Sequence, residues 1–269
     1  MDISERKIIS GKVEDIARRA SCLMVHSGFE VEQKGSIENI VTSSDIAVQK
    51  FLQKELSSLL PGCGFICEEE DINDPDKEYT WIIDPIDGTA NYARGIEFCC
   101  ISIALKHVDE VILGVVYSPW RDEMFSAVKG GGASLNSKPI HVSGRSFQEC
   151  FLFTALSTYR KELSGMCNDV IMETFYRCND VRRYGSAAME LCHIALGEGD
   201  LYFEIRLQPW DYAAGLLILK EAGGSYGNLD GVHPRLDGPD IVLAANSRAN
   251  FRELLDIAVR HIGTRPYED

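Results

Sequence analysis

Apolar residues recur at helical spacing near the start of the chain. Ile9, Val13, Ile16, Ala20 and Leu23 share one face and predict a helix ending near Gly28. A second stripe, Val48, Phe51, Leu52, Leu56 and Leu59, predicts a helix over 45–60, capped by Ser44 or Asp45 and stopped by Pro61-Gly62. From residue 80 the period shortens. Thr80-Trp81-Ile82-Ile83 reads as a short strand ended by Asp84-Pro85, and 99–105, 111–117 and 123–128 read as successive strands joined by turns. Further on, the pattern predicts strands opening at Phe151 and over 201–204 and 241–245. Helices are predicted over 186–196, 211–222 (closed by Gly223) and 251–262. Helices come first, then a strand meander, then helix–strand alternation. That order predicts a layered α/β or α+β architecture rather than a TIM barrel or a Rossmann unit. No internal repeat or low-complexity linker interrupts it.

Composition narrows the class. The chain has 269 residues, 45% hydrophobic and 25% charged. This is the profile of an ordinary globular chain and excludes disorder. The length fits one compact unit with two halves, 1–145 and 146–269. No stretch approaches the roughly 20 apolar residues of a membrane span. The opening residues Met1 to Lys7 are polar, unlike a signal peptide. With 27 Lys and Arg against 41 Asp and Glu, the net charge is −14. Such a chain repels phosphate backbones, so no nucleic-acid partner and no membrane partner is expected. Nine cysteines, an odd count with no C-x-x-C pair, predict buried free thiols in a reducing cytosol, hence a cytoplasmic protein. Gly130-Gly131-Gly132 lacks the Lys-Ser/Thr of a phosphate-cradling loop and reads as a tight turn.

The sharpest local feature is Trp81-Ile82-Ile83-Asp84-Pro85-Ile86-Asp87-Gly88-Thr89. A buried strand delivers Asp84 to its carboxyl end, and Asp87 follows on a turn. The Ile86 carbonyl between them is left without a strand partner. Carboxylates plus a carbonyl suit a hard cation such as Mg²⁺. Gly88-Thr89 opens a short helix whose N–H groups face the same point, an arrangement that favours phosphate. The same residue types also build ordinary Asx turns. Further along, Asp211 sits where a helix begins, the position of a metal ligand or of a simple cap.

Two blocks resemble the inositol monophosphatase family, within the superfamily that includes fructose-1,6-bisphosphatases and 3′-phosphoadenosine bisphosphate nucleotidases. Trp81 to Tyr92 is similar to its W-x-x-D-P-I-D-G-T-x-N-[FY] signature, and Trp210-Asp211-Tyr212-Ala213-Ala214-Gly215 to its W-D-x-A-A-G signature. Gly185-Ser186-Ala187-Ala188 and Phe65-Ile66-Cys67-Glu68-Glu69 support them, and the order holds over roughly residues 30 to 245. The resemblance implies a layered αβαβα sandwich and Mg²⁺, two or three ions. Asp84 would bridge the first two ions. Glu68 and the Ile86 carbonyl would complete one, Asp87 and Asp211 the other. Glu68 and Thr89 would activate water, with Asp45 bonded to Thr89. The Gly88 and Thr89 N–H groups would hold phosphate. Ala187 and Glu204 would contact the polyol, and Lys34 would lie at the phosphate mouth. The same resemblance implies a small phosphorylated polyol or sugar as substrate, a homodimer and sensitivity to lithium.

The chain departs from the family pattern after Tyr92. Ala93-Arg94-Gly95-Ile96-Glu97 replaces the usual His and Pro, and Cys67 stands where Gly is usual. No ligand is lost, but the preferred substrate is left open. Inositol monophosphate, fructose 1,6-bisphosphate and 3′-phosphoadenosine 5′-phosphate all fit the chemistry, and Arg94 would favour a second phosphate. A catalytically idle binding or regulatory role is the alternative from another class. Arg182-Arg183 reads either as an anion or subunit contact or as a surface ion pair.

Overall fold

The computed structural model describes residues 1–25, 30–33, 40–69, 74 and 76–263. The first helix, α1, is Ile3–Val25. It starts earlier than its apolar stripe because Asp2 and Glu5 cap each other. The Asp2 N–H donates to Glu5 at 2.8 Å and the Glu5 N–H to Asp2 at 2.9 Å. Its expected end near Gly28 lies outside the described residues. β1 (Val31–Gln33) and β2 (Ile40–Thr42) form an antiparallel ribbon leading into α2, Ser43–Leu59. The cap of α2 is Thr42, not Ser44 or Asp45. Asp45 is the third helical residue and accepts the Thr42 N–H at 2.7 Å.

β3 (Gly64–Cys67) runs parallel to β4 (Tyr79–Asp87). Contrary to the expected stop at Asp84-Pro85, β4 continues to Asp87. Its register against β5 (Cys100–His107) shifts between Asp84 and Asp87. Pro85 lies inside this irregular stretch, where it forfeits no regular ladder bond. Asp84 is still in regular register, opposite Ser102, and the one-residue shift displaces Asp87, opposite Cys100. α3 (Thr89–Tyr92) follows. β6 (Glu110–Ser118), β7 (Glu123–Val128), β8 (Ala133–Leu135) and β9 (Lys138–Pro139) then complete a seven-stranded sheet, consecutive in order from β3 to β9.

The chain then enters a second sheet, made of β10 (Phe151–Thr154), β11 (Asp180–Arg182), β12 (Leu201–Leu207), β13 (Ser225–Gly227) and β14 (Asp240–Ala245). Its order is β11-β10-β12-β14-β13, with β10 parallel to both its neighbours. The helices of this part are α4 (Ser164–Phe175), α5 (Ala187–Ala195), α6 (Pro209–Glu221) and α7 (Arg248–Ile262). The sequence pattern does not predict α4, whose first turns hold Gly165, Asn168 and Asp169, all weak helix formers.

Three apolar cores fix the layering. Val13, Ile16, Leu52 and Leu56 of α1 and α2 pack on Trp81, Ile83, Ile101 and Ile103. The opposite face of the same sheet, with Ile82, Ala104 and Val116, meets Leu191 of α5 and Ile218 of α6. Those helices also pack on Tyr202 and Val242 of the second sheet. On its far side, Leu152, Phe203 and Leu243 meet Val170 of α4 and Leu254 of α7. The layers therefore run α-β-α-β-α. α6 is buried around its whole circumference from Tyr212 to Leu219, as a helix held between two sheets must be. All nine cysteines are free and six are buried. No helix among the described residues is long and apolar enough to cross a membrane.

Candidate metal centre and active site

Two segments converge where the start of α6 meets the end of β4. β4 and its irregular end supply Asp84 and Asp87. The first turn of α6 supplies Asp211. One carboxylate oxygen from each lies within 4.8 Å of the other two. Asp84 and Asp87 are buried, at 2% and 8% exposure. Asp211 is not the cap of α6, as its position at the helix start suggested. Gln208 caps, Pro209 takes the first helical position, and Asp211 is third and accepts the Gln208 N–H at 2.7 Å. One Asp211 oxygen is thus fixed to the backbone, which aims the carboxylate at the other two.

Burial and mutual repulsion set the electrostatics of the cluster. Burial first, then the charges of Glu68, Asp87 and Asp211, pushes the Asp84 carboxyl well above its ordinary range. Burial and then Asp87 do the same to Asp211. Burial raises Asp87 to about 6, held there against the lowering effect of hydrogen bonds from Ser186 and the Ala188 N–H. Three carboxylates that repel one another, two of them buried and the third half-buried, fit a hard divalent ion. Oxygen donors in this number suit Mg²⁺.

The remaining predicted residues stand as follows. Glu68 directly follows β3, beside Asp84 in the parallel register, and its charge acts on Asp84, although it is not part of the three-carboxylate cluster. The Ile86 carbonyl accepts the Thr89 hydroxyl at 3.0 Å, so one of its lone pairs is engaged. The same hydroxyl lies 3.3 Å from Asp45, which is fully buried. Gly88 adopts φ +91°, and a Cβ there would meet the carbonyls of Phe98 at 3.1 Å and Gly185 at 3.3 Å. Only glycine fits. Ala187 is buried at the start of α5. Glu204 does not face open solvent at a strand end. It sits within β12, accepts the Tyr202 hydroxyl at 2.7 Å, and is raised to about 8, chiefly by burial. Lys34 lies outside the described residues. Arg94 is exposed. Arg182 forms an ion pair with Asp180, whereas Arg183 donates to the Thr158 hydroxyl at 2.9 Å.

Several contributors carried no predicted role. The Ser186 hydroxyl and the Ala188 N–H each donate to Asp87 Oδ2 at 2.7 Å. Asn91 Nδ2 donates to the carbonyls of Phe98 and Tyr184, both at 2.7 Å. Glu190 accepts the Tyr184 and Gly185 N–H groups. Tyr159 is exposed, and the charges of Glu68, Asp211, Asp87 and Asp84 act on its phenol in the raising direction. Glu190 alone had a readable signal, as a lone charge in the apolar run Ala187-Ala188-Met189-Glu190-Leu191-Cys192.

This arrangement matches known proteins. A sequence model described as the inositol monophosphatase family matches residues 7–262. The chain belongs to the inositol monophosphatase family. It is 33% identical over 239 residues to an inositol-1-monophosphatase of Mesorhizobium japonicum, covering 88% of this chain and 89% of that protein. It is 35% identical over 257 residues to Nus factor SuhB of Escherichia coli K12, covering 91% and 96%. Among solved structures, an inositol monophosphatase of Thermotoga maritima superposes with a TM-score of 0.84 at 29% identity, covering 94% and 97%. The αβαβα layering is thus the fold of the inositol monophosphatase family, and the acidic cluster lies in its two signature blocks.

Proposed function

We propose that this inositol monophosphatase family member is a Mg²⁺-dependent phosphomonoesterase acting on inositol monophosphate or a similar polyol or sugar phosphate. The observation that carries the reading is the convergence of Asp84, Asp87 and Asp211 within 4.8 Å, the first two buried and the third half-buried. Glu68, the Ile86 carbonyl, Asp84, Asp87 and Asp211 would hold two ions, and a third, weaker one would sit beside Glu68. Bound there, Mg²⁺ supplies Lewis acidity toward water and toward the phosphate oxygens. The chain's own residues do the rest. Thr89 is the proton relay: its hydroxyl stands between Asp45 and the Ile86 carbonyl, and it orients the attacking water together with Glu68. The Gly88 and Thr89 N–H groups face the phosphate. Ala187 and Glu204 line the polyol side, and Lys34 is assigned to the mouth of the site.

The name of the Mesorhizobium relative supports inositol phosphate as the first substrate to test. Fructose 1,6-bisphosphate and 3′-phosphoadenosine 5′-phosphate are the alternatives within the same chemistry. A homodimer, a cytoplasmic setting and inhibition by Li⁺ complete the proposal. A second reading, a regulatory partner rather than a catalyst, is favoured by the name Nus factor carried by the Escherichia coli relative. The intact acidic set argues for catalysis. The test is phosphate release from inositol 1-phosphate with and without Mg²⁺. Turnover that requires Mg²⁺ supports the proposal, and no turnover of any of the three substrates favours the partner role.

A further inference from the structure

The two oxygens of Asp87 are treated differently. Oδ2 takes the Ser186 hydroxyl and the Ala188 N–H, both at 2.7 Å. Both donors lie where the chain enters α5, Ser186 at its cap and Ala188 in its first turn. The turn before it needs restraint, because Gly185 adopts φ +85° and the 182–186 segment links a short edge strand to the helix. One side of it is held by Asn91, whose Nδ2 donates to the Tyr184 carbonyl at 2.7 Å. The other side is held by Glu190. A single oxygen, Oε1, accepts the Tyr184 N–H at 2.6 Å and the Gly185 N–H at 3.2 Å. Glu190 is 2% exposed, on the first turns of α5, where the helix start favours a carboxylate.

A carboxylate buried this deeply is costly unless hydrogen bonds offset the loss of water. Packing alone would be served better by an apolar side chain of the same volume. We propose that Glu190 is a positioning residue for the metal centre: by clamping the 184–185 backbone it presents Ser186 and the Ala188 N–H to Asp87 Oδ2, which keeps the other oxygen of Asp87 turned toward Asp84 and Asp211. Glu190 touches none of the three carboxylates. It acts through the turn, as groups that orient metal ligands do. The inference rests on the reading of Asp87 as a metal ligand.

The test is calorimetric titration of the full chain with Mg²⁺ alone, with thermal unfolding of the metal-free proteins alongside. Glu190→Met keeps the volume and removes the acceptor, whereas Glu190→Gln keeps an oxygen at the clamping position. Glu190→Met is expected to weaken Mg²⁺ binding by about 10- to 100-fold, the range seen when groups behind metal ligands are removed. Glu190→Gln is expected to stay within about threefold of the parent protein, because one neutral oxygen can accept both N–H groups. Mg²⁺ binding by Glu190→Met equal to that of the parent overturns the proposal. So does equal weakening in Met and Gln, which would make the charge and not the clamp the cause. If Glu190→Met does not fold, Glu190→Ala is read by the same titration against the same expectations. A parent protein that binds no Mg²⁺ overturns the metal-centre reading itself, so the two failures are distinguishable.

Discussion

The Ser186 hydroxyl donates to Asp87 Oδ2 at 2.7 Å across 99 positions of sequence. This bond ties the first signature block to the helix that precedes the second. It also explains why Asp87, although buried among like charges, is raised only to about 6. The centre is therefore preorganised by hydrogen bonds from both halves of the chain. Its energetic cost without a cation is the source of the first prediction.

Metal-free protein should lose stability as pH rises. Asp87 is raised to about 6, and Glu190 and Glu204 to about 8, burial being the first cause in each. Groups whose folded pKa is raised bind more protons folded than unfolded, so unfolding becomes easier as pH increases through that range. The loss spans from the ordinary carboxylate range near 4 up to about 8. Thermal unfolding in chelator from pH 5 to 8.5 should show the midpoint falling. Added Mg²⁺ should raise it more at pH 8 than at pH 5.5, because the ion binds the deprotonated ligands. A midpoint that rises with pH across this window, or a Mg²⁺ effect equal at both ends, contradicts the account.

Gly88→Ala should destabilise the fold and impair the centre together. The substitution forces an alanine to φ +91° and brings its Cβ to 3.1 Å from the Phe98 carbonyl and 3.3 Å from that of Gly185. Neither is the end of a flexible side chain. The expected loss is about 1–3 kcal/mol, measured by urea unfolding. A variant as stable as the parent would show that the tight turn is not strained by a side chain.

Glu204→Gln should separate binding from metal chemistry. The residue takes the Tyr202 hydroxyl at 2.7 Å and does not belong to the three-carboxylate cluster. KM for inositol 1-phosphate measured at pH 9, where Glu204 is ionised, should rise about tenfold, in line with the loss of a charge-assisted hydrogen bond to a substrate hydroxyl, while Mg²⁺ affinity changes little. An unchanged KM removes Glu204 from the polyol side.

The sequence made the centre legible because its three carboxylates sit in short blocks whose neighbours have distinctive local jobs. Trp81 and Ile83 pack into one core, Ile82 into another, and the strand they form carries Asp84. Pro209 starts the helix that carries Asp211. The fine geometry was not legible. Asp84-Pro85 reads as a stop by local rules, yet tertiary pairing with β5 carries the strand through a register shift to Asp87. Asp45 and Asp211 both looked like caps, and both prove to be third helical residues that brace the cap from within. Ser186 and Asn91 act across 99 and 93 positions of sequence, which no local period reveals. α4 is held by packing of Val170 and Cys167 on the second sheet rather than by propensity.

The most direct test of the central claim is phosphate release by the parent protein and by Asp84→Asn, with and without Mg²⁺. Substrates are inositol 1-phosphate, fructose 1,6-bisphosphate and 3′-phosphoadenosine 5′-phosphate. Asp84 is raised by burial and by the charges of Glu68, Asp87 and Asp211, so removing its charge changes the field of the whole cluster. The account predicts Mg²⁺-dependent turnover, strongest with inositol 1-phosphate, and a fall of about 1,000-fold or more in the variant, since several kcal/mol of transition-state stabilisation are lost. Turnover that persists in Asp84→Asn, or that proceeds without Mg²⁺, would contradict it.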